Sequence, residues 1–484
     1  MIRRALFYLS ILSFLGYGAL LISHTSTAVG GSDSSGYANT AKMIAAGRVI
    51  QPIEALDRLD LPDRSDRVFI PLAYEPGPRP RTMVPQYPPG YPLHLAAVAI
   101  LAGWAYAPHF VSPLAALLFV LVTYFLAREL SLSRPFAFVS AAIVAGSAVL
   151  LSQAEQAMSD VVAALWATAA VLFALRSRRS AAWAIAAGAA MGMAVLVRPT
   201  NLILVVTLAL ALPWLPRPLA LFVAGGLPFA AFEFRWNSAL YGNPLRTGYS
   251  GLGLFRWGHF PARFPHYSRT LAEMFSPLVP LGWLAAGGDR RVPPRDRALL
   301  LMWFGSYLGL YCFWEPYEAW WYTRYLLPAF PAIVVAAVLV ARDGLRLCAE
   351  RSRRLAVAVA AFLLFSVVFA EVQGFRRWKP LDIAEGEKTY TLAMDLVRSN
   401  LPERSLVVSM QMSGSLRYYT DFTPVCWNWL QPGDFETIAA RAKEKSYRIY
   451  ALLVPWEVQT AASRAPGRWT FLARVRDVNL WQLE

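Results

Sequence analysis

Residues 91–106 read YPLHLAAVAILAGWAY, and whether they cross a membrane decides the topology of everything around them. The chain has 484 residues, of which 56% are hydrophobic and only 16% charged, with a mean hydropathy of +0.39. Apolar runs of about 17–20 residues, enough to span hydrocarbon, recur along most of its length. They fall near residues 5–23, 110–127, 135–152, 160–175, 181–197, 201–215, 218–234, 271–287, 298–314, 326–341 and 355–373. A soluble fold cannot hide that many, so the sequence reads as an integral membrane protein.

Lysine and arginine next to membrane spans stay on the cytoplasmic side. The connections RELSLSR (128–134), RSRRS (176–180), GGDRRVPPRDR (287–297) and ARDGLRLCAERSRR (341–354) are arginine-rich. The alternate ones are not: SQAEQAMSD (152–160) has no basic residue, and the turn after 197 and EPYEAWWYTRY (315–325) carry one each, Arg198 and Arg324. Counting 91–106 as a crossing would turn every basic loop outward. Read instead as a short helix lying in or dipping into the outer face, it leaves them all inside. The expectation is eleven crossings, with the amino terminus inside and the carboxyl terminus outside. Arg3 and Arg4 before the first apolar run also fit a secretory leader, but the length of that run favours a retained anchor, and both readings put residue 33 outside.

The net charge of +15 raises the question of nucleic acid. Much of the excess sits in the cytoplasmic loops, where it fixes topology and meets anionic membrane lipid, so no nucleic-acid partner is expected. All but five of the 46 basic residues are arginine. Arg198, Arg235, Arg246, Arg256, Arg263, Arg269 and Arg324 fall outside, where guanidinium forks suit phosphate oxygens; genome base composition is the competing explanation. Cys312, Cys348 and Cys426 form no disulfide framework or zinc pattern.

The spans divide the chain into a membrane domain, 1–373, with external loops at 24–109 and 237–270, and a soluble tail, 374–484. The tail alternates strand-like SLVVSM and RIYALLVPW with a helical DFETIAARAKEKS, which predicts a small extracytoplasmic α/β domain. It carries no phosphate-binding glycine loop and no nucleophile motif. Docking or acceptor recognition, or plain structural capping, is its expected use.

Residues able to do chemistry gather on one side. Asp33, Tyr37, Tyr87, Glu155, Asp160, Arg198, Glu315, Glu318, Tyr322 and Arg324 all lie near the outer ends of their segments in this topology, and no predicted helix centre carries an acid suited to a proton relay. A cavity at the outer leaflet fits better than a conduction path. Each residue also has a structural reading: Asp33 and Asp160 as helix N-caps, Arg198 and Arg324 as snorkelling anchors, Glu315 and Glu318 as part of an interfacial aromatic belt, and Tyr87 with Pro88, Pro89 and Tyr91 as the turn into a surface helix.

Six motifs in this order resemble the GT-C superfamily of polyprenyl-phosphate-sugar-dependent glycosyltransferases, in particular protein mannosyltransferases and lipid A aminoarabinose or galacturonosyl transferases (glycosyltransferase family 39/83 type). They are GSDSSGYANTAKMIAAG after the first span, QYPPGYPLHLAAVAILAG, AEQAMSDVVAALW, AAGAAMGMAVLVRPTNL, the LYGNPLRTGY segment within 237–249, and WWYTRYLLPAFP. The resemblance covers about residues 1–375. It implies an all-α polytopic fold of GT-C type, a location in the bacterial inner membrane with the active site outside, and inverting transfer of a hexosyl or pentosyl group. The donor would be a polyprenyl-phosphate sugar and the acceptor a lipid, glycan or protein.

Such a reaction needs a base for the acceptor and positive charge for the departing phosphate. The implied assignment is Asp33 as base and Asp160 or Glu155 as a second acid that shapes the site or holds a divalent metal. Arg324 with Arg198 would meet the phosphate, with Tyr37, Tyr87 and Tyr322 as further substrate contacts. No cofactor is certain; Mg or Mn held by Asp33 and Asp160 is an option, weakened because Ser34, not a second acid, follows Asp33. Surface-glycan ligases or polymerases and lipid-linked sugar flippases or transporters are the alternatives. The former usually carry one large outer loop; the latter need polar groups along a path through the bilayer.

Overall fold

A computed structural model describes residues 2–249, 251–276, 278–287, 292–315 and 317–484. The predicted loop 287–297 therefore lies partly outside the described residues. The molecule is a helical bundle capped at one end by a mixed polar layer.

The helix over the opening stretch, Gly90–Ala102, has 13 residues. At about 1.5 Å per residue it is about 20 Å long, short of the ~30 Å hydrocarbon core. Gly103, at φ +90°, turns the chain out of it, and Ala107–Glu129 then runs on as a separate 23-residue helix. Ile100 and Leu101 at its far end are 75% and 88% exposed, as suits apolar side chains facing lipid.

Among the described residues, five helical runs are long and apolar enough to cross a membrane: His109–Glu129, Ser159–Arg176, Pro216–Tyr241, Trp320–Arg351 and a run that starts at Arg353. A sixth is a bent pair, Arg134–Gly146 and Ala148–Ala154, broken by 62°. Trp183–Val197 and Pro199–Ala211 are apolar but shorter. One expected crossing is corrected: 271–287 is not a continuous helix. Phe260–Phe275 ends at Ser276, which adopts φ +48°, and the short turns Leu278–Trp283 and Leu284–Gly287 follow. The helix Phe260–Phe275 buries Arg263, Tyr267, Thr270, Leu271, Met274 and Phe275. That spacing marks one helical face.

Small residues bring the helices together. A Cβ added at Gly188 would sit 1.9 Å from the carbonyl oxygen of Phe222, and one at Gly225 would sit 2.1 Å from that of Ile185. The helices Trp183–Val197 and Pro216–Tyr241 thus touch backbone to backbone, the close approach that glycine permits in lipid, where burying apolar surface supplies no drive.

The two ends of the bundle are polar in different ways. At one end Arg178 pairs with Asp296 at 2.6 Å, Arg179 pairs with Glu129 at 2.9 Å, and Arg342 donates to the Ser131 carbonyl. These contacts tie together the connections that were read as cytoplasmic. The other end carries the first loop and the tail.

The tail contains the expected sheet. It has five strands in the order Thr423–Val425, Ser405–Val408, Arg448–Leu453, Val478–Leu483, Trp469–Val475; the first three are parallel and the last two antiparallel. Its buried Glu457 accepts from the amides of Met410, Gln411 and Val454 and from the Trp427 indole, so that carboxylate is structural. The first loop forms its own three-stranded sheet, Gln51–Pro52, Thr82–Pro85 and Tyr74–Pro76. Loop and tail share one core, in which Leu56, Val68 and Phe69 pack with Val408, Val425 and Trp427. Hydrogen bonds run along the seam: Asn39 to the Gly414 carbonyl at 2.9 Å, the Cys426 amide to the Val68 carbonyl at 2.7 Å, and the Val29 amide to the Tyr419 hydroxyl at 2.8 Å.

Candidate active site

Four segments deliver the polar cluster at the capped end, each for a reason visible in its sequence. Asp33 is the first residue of the helix Asp33–Ala45, which follows Gly31 at φ +59°. Asp160 is the second residue of Ser159–Arg176. Arg198 ends Trp183–Val197 in an extended conformation, φ −147° and ψ 110°, because the ring of Pro199 disfavours helical geometry in the residue before it. Arg324 lies in a ten-residue 3-10 helix, Trp320–Ala329. So long a 3-10 run is uncommon, and because residues i and i+3 eclipse, it brings the rings of Tyr322 and Tyr325 to 6.0 Å, tilted by 40°.

The charged groups form a chain. The Tyr87 hydroxyl donates to Asp33 Oδ1 at 2.6 Å, and Arg324 Nη2 reaches Asp33 Oδ2 at 3.0 Å. Arg324 Nε lies 3.8 Å from Asp160 Oδ1, which Arg198 Nη2 meets at 2.9 Å. Arg198 Nε donates to the Ser159 hydroxyl at 3.2 Å, and that hydroxyl bonds Tyr37 Oη at 2.9 Å. The rings of Tyr37 and Tyr87, 4.9 Å apart, close the circuit. Tyr325 lies beneath both guanidiniums, at 5.2 Å from Arg198 and 5.4 Å from Arg324, and Tyr322 is 5.5 Å from Arg324. Two carboxylates and two guanidiniums leave the cluster neutral.

The two acids differ in access. The Asp33 side chain is 29% exposed and that of Asp160 is 0% exposed. Only Asp33 is open to an incoming molecule, while Asp160 holds Arg198 and Arg324 in place. Neither acid acts as a cap: no side-chain cap hydrogen bond forms at the start of either helix. Burial opposes ionisation of Asp33, but Arg324, the Tyr87 hydrogen bond and Arg198 together outweigh it and hold the carboxyl below its ordinary value.

Glu155 stands apart from this chain of contacts. It is fully buried, and its Oε2 accepts from the amide of Ala384 at 3.1 Å, at the start of the tail helix Ile383–Asn400. Burial, with Asp382 nearby, pushes its carboxyl up to about 8 despite the amide contacts. Glu155→Gln preserves shape and the neutral state, so the activity of membranes containing the protein should stay at the wild-type level; a loss of activity without a loss of folding would place Glu155 with Asp33 and Asp160.

Glu315 and Glu318 lie among aromatic residues, where the rings of Tyr317 and Tyr322 stack at 4.4 Å. Asp33 and Asp160 each form an ion pair with a guanidinium group, and among the described residues no three His, Cys, Asp or Glu side chains gather as metal ligands.

Several neighbours escaped the sequence reading. Ser159 and Tyr325 adjoin residues that were chosen, and Tyr249 packs on Tyr87 at 5.7 Å. Arg263, one of the outer arginines singled out in the sequence, is 1% exposed; its Nη1 donates to the Tyr317 carbonyl, while Nε and Nη2 have no hydrogen-bond partner among the described residues.

Comparison with known proteins bears on this geometry. The family described as Dolichyl-phosphate-mannose-protein mannosyltransferase (PMT) matches residues 104–219. No curated protein matches the chain. The crystal structure of ArnT from Cupriavidus metallidurans bound to undecaprenyl phosphate aligns over 98% of this chain and 97% of its own, with 14% identity and a TM-score of 0.59. Its apo form aligns over 100% and 98%, with 16% identity and a TM-score of 0.59. The two findings agree: the chain shares the fold of ArnT from end to end, and its residues 104–219 resemble the mannosyltransferase family.

Proposed function

We propose that this protein transfers a sugar from a polyprenyl-phosphate-linked donor to a lipid, glycan or protein acceptor at the outer face of the bacterial inner membrane, with Asp33 as general base. The observation that carries the reading is the pairing of the accessible Asp33 carboxylate with a guanidinium at 3.0 Å, at the polar end of an apolar bundle. ArnT, whose fold this chain shares, is described bound to undecaprenyl phosphate, which supports a donor of that class here.

The chemistry balances within the site. The acceptor hydroxyl or amine gives its proton to Asp33 as its oxygen or nitrogen bonds to the anomeric carbon. The bond from that carbon to the phosphate oxygen breaks, and the polyprenyl phosphate leaves with the electron pair. Arg324 and Arg198 meet the charge that develops on it. Attack from the face opposite the leaving group inverts the anomeric centre. Arg324 is shared between Asp33 and the phosphate. As the phosphate draws it away, burial is less opposed and the basicity of Asp33 rises towards the range in which a base is effective.

The test uses proteoliposomes containing the full chain and polyprenyl-phosphate hexose, pentose or uronic acid, with membrane extract as the acceptor source. The expected result is release of polyprenyl phosphate coupled to label in the acceptor fraction. Translocation of intact donor across the vesicle, with no sugar released from phosphate, overturns this reading in favour of a flippase.

A further inference from the structure

Outside the charged cluster the seam between first loop and tail encloses a cleft of about 440 Å³. Lys42 and Arg417 both line it, with Asn39, Asp421, Phe422 and Met83 among its walls. Arg58, on the rim, is matched by Glu54. Lys42 and Arg417 have no carboxylate partner among the described residues. Lys42 Nζ sits 3.7 Å over the Tyr418 ring and donates to that residue's carbonyl at 3.0 Å, and Arg417 stacks 5.2 Å over Tyr74. Both cations are thus held in place by aromatic rings with their charge left uncompensated.

The cleft is bounded by two sheet edges, and each carries a proline. Gln51–Pro52 is an outer strand of the small sheet and Thr423–Val425 an outer strand of the large one; Pro52 and Pro424 both line the cleft. Proline lacks the amide that an added strand would pair with, so an extended peptide cannot dock here by strand addition. Fixed cations, a partly exposed aromatic ring at Phe422 and room for a small ligand suit an anionic sugar chain instead.

We propose that this cleft binds an anionic saccharide, a remote part of the acceptor bearing carboxylate or phosphate, through Lys42 and Arg417. The proposal rests on the glycosyltransferase reading for the word acceptor; the binding itself does not. Lys42 lies nine residues after Asp33 on one helix, about 14 Å along its axis and on the opposite face. The group held in the cleft is therefore not the reacting one, and its binding anchors the acceptor while another part meets Asp33.

Calorimetry on the full chain in detergent, with trigalacturonic acid, neutral maltotriose and a hexa-aspartate peptide as probes, tests this. Trigalacturonic acid should bind in a salt-sensitive manner and maltotriose weakly; the peptide should bind less well than the acidic sugar. The double variant Lys42→Gln, Arg417→Gln should weaken acidic-sugar binding at least about tenfold, with an unfolding midpoint near wild type. Asp421→Lys, at an exposed position, should tighten it, which keeps the test decisive if the double variant folds poorly. Asp33→Asn should bind trigalacturonic acid like wild type, so failure of the catalytic reading and failure of this one appear in separate measurements. Equal affinity for acidic and neutral sugar, tighter binding of the peptide, or no response to either charge change overturns the proposal.

Discussion

Asp33→Asn should abolish sugar transfer while the protein stays folded and still binds its lipid donor. A positioned general base contributes about 10²–10⁴ in rate, and the fall in kcat should lie in that range or beyond. Asparagine keeps the shape and can still accept from Tyr87, so the substitution tests the charge and not the packing. The side chain is 29% exposed, which keeps the folding cost small and lets a thermal unfolding curve separate the two effects. Asp160→Ala should behave in the opposite way. It strips a fully buried carboxylate from Arg198 and leaves an uncompensated charge, at a cost of about 3–5 kcal/mol in stability. Unchanged transfer by Asp33→Asn would remove the base from the proposed mechanism. A scaffold or a transporter predicts that outcome.

Much of this cluster was legible because its charged residues, far apart in sequence, sit at segment ends that topology can sort. Charge counting put Asp33, Asp160, Arg198 and Arg324 on one side, and the structure links them through Arg324 and Ser159. The same counting required 91–106 not to cross, and the helix there, Gly90–Ala102, has 13 residues. Partners that depend on helix type were not legible. Tyr325 sits under both guanidiniums because Trp320–Ala329 winds as a 3-10 helix, whereas apolar periodicity placed it just ahead of a crossing that starts at 326. The surroundings of Glu155 were not legible for another reason: the loop SQAEQAMSD fixes its end of the bundle, but its partner Ala384 is 229 residues away. The broken run 271–287 did carry a warning, since Pro277 and Pro280 stand inside it and mean hydropathy does not register a missing amide. The tail and first loop were read as separate segments of the outer mass; their shared core joins residues too far apart in sequence for periodicity to connect.

Arg324→Gln should strike both halves of the reaction. Its guanidinium bridges Asp33 and Asp160, at 3.0 and 3.8 Å, and is proposed to receive the leaving phosphate. Removing a preorganised donor of this kind costs about 10²–10³ in kcat, and the donor KM should rise as well because the phosphate is held before it leaves. The pH profile adds a readout that a merely structural arginine would not move. Burial is the largest influence on the Asp33 carboxyl and raises its pKa; Arg324 leads the groups that hold it down. Without Arg324 the burial effect is less opposed and the pKa moves up. A base works only when deprotonated, so the acid limb of kcat/KM should shift to higher pH in Arg324→Gln, while in the wild type it should stay below the ordinary carboxyl range. Arg324→Lys should restore part of the donor affinity and little of the rate, because a single ammonium cannot bridge two carboxylates and still offer a planar fork to phosphate. An acid limb that stays in place, together with an unchanged donor KM, would show that Arg324 only anchors the 3-10 helix. The positive charge for the leaving group would then have to come from Arg198 or Arg263, of which Arg263 keeps two guanidinium nitrogens without a partner among the described residues.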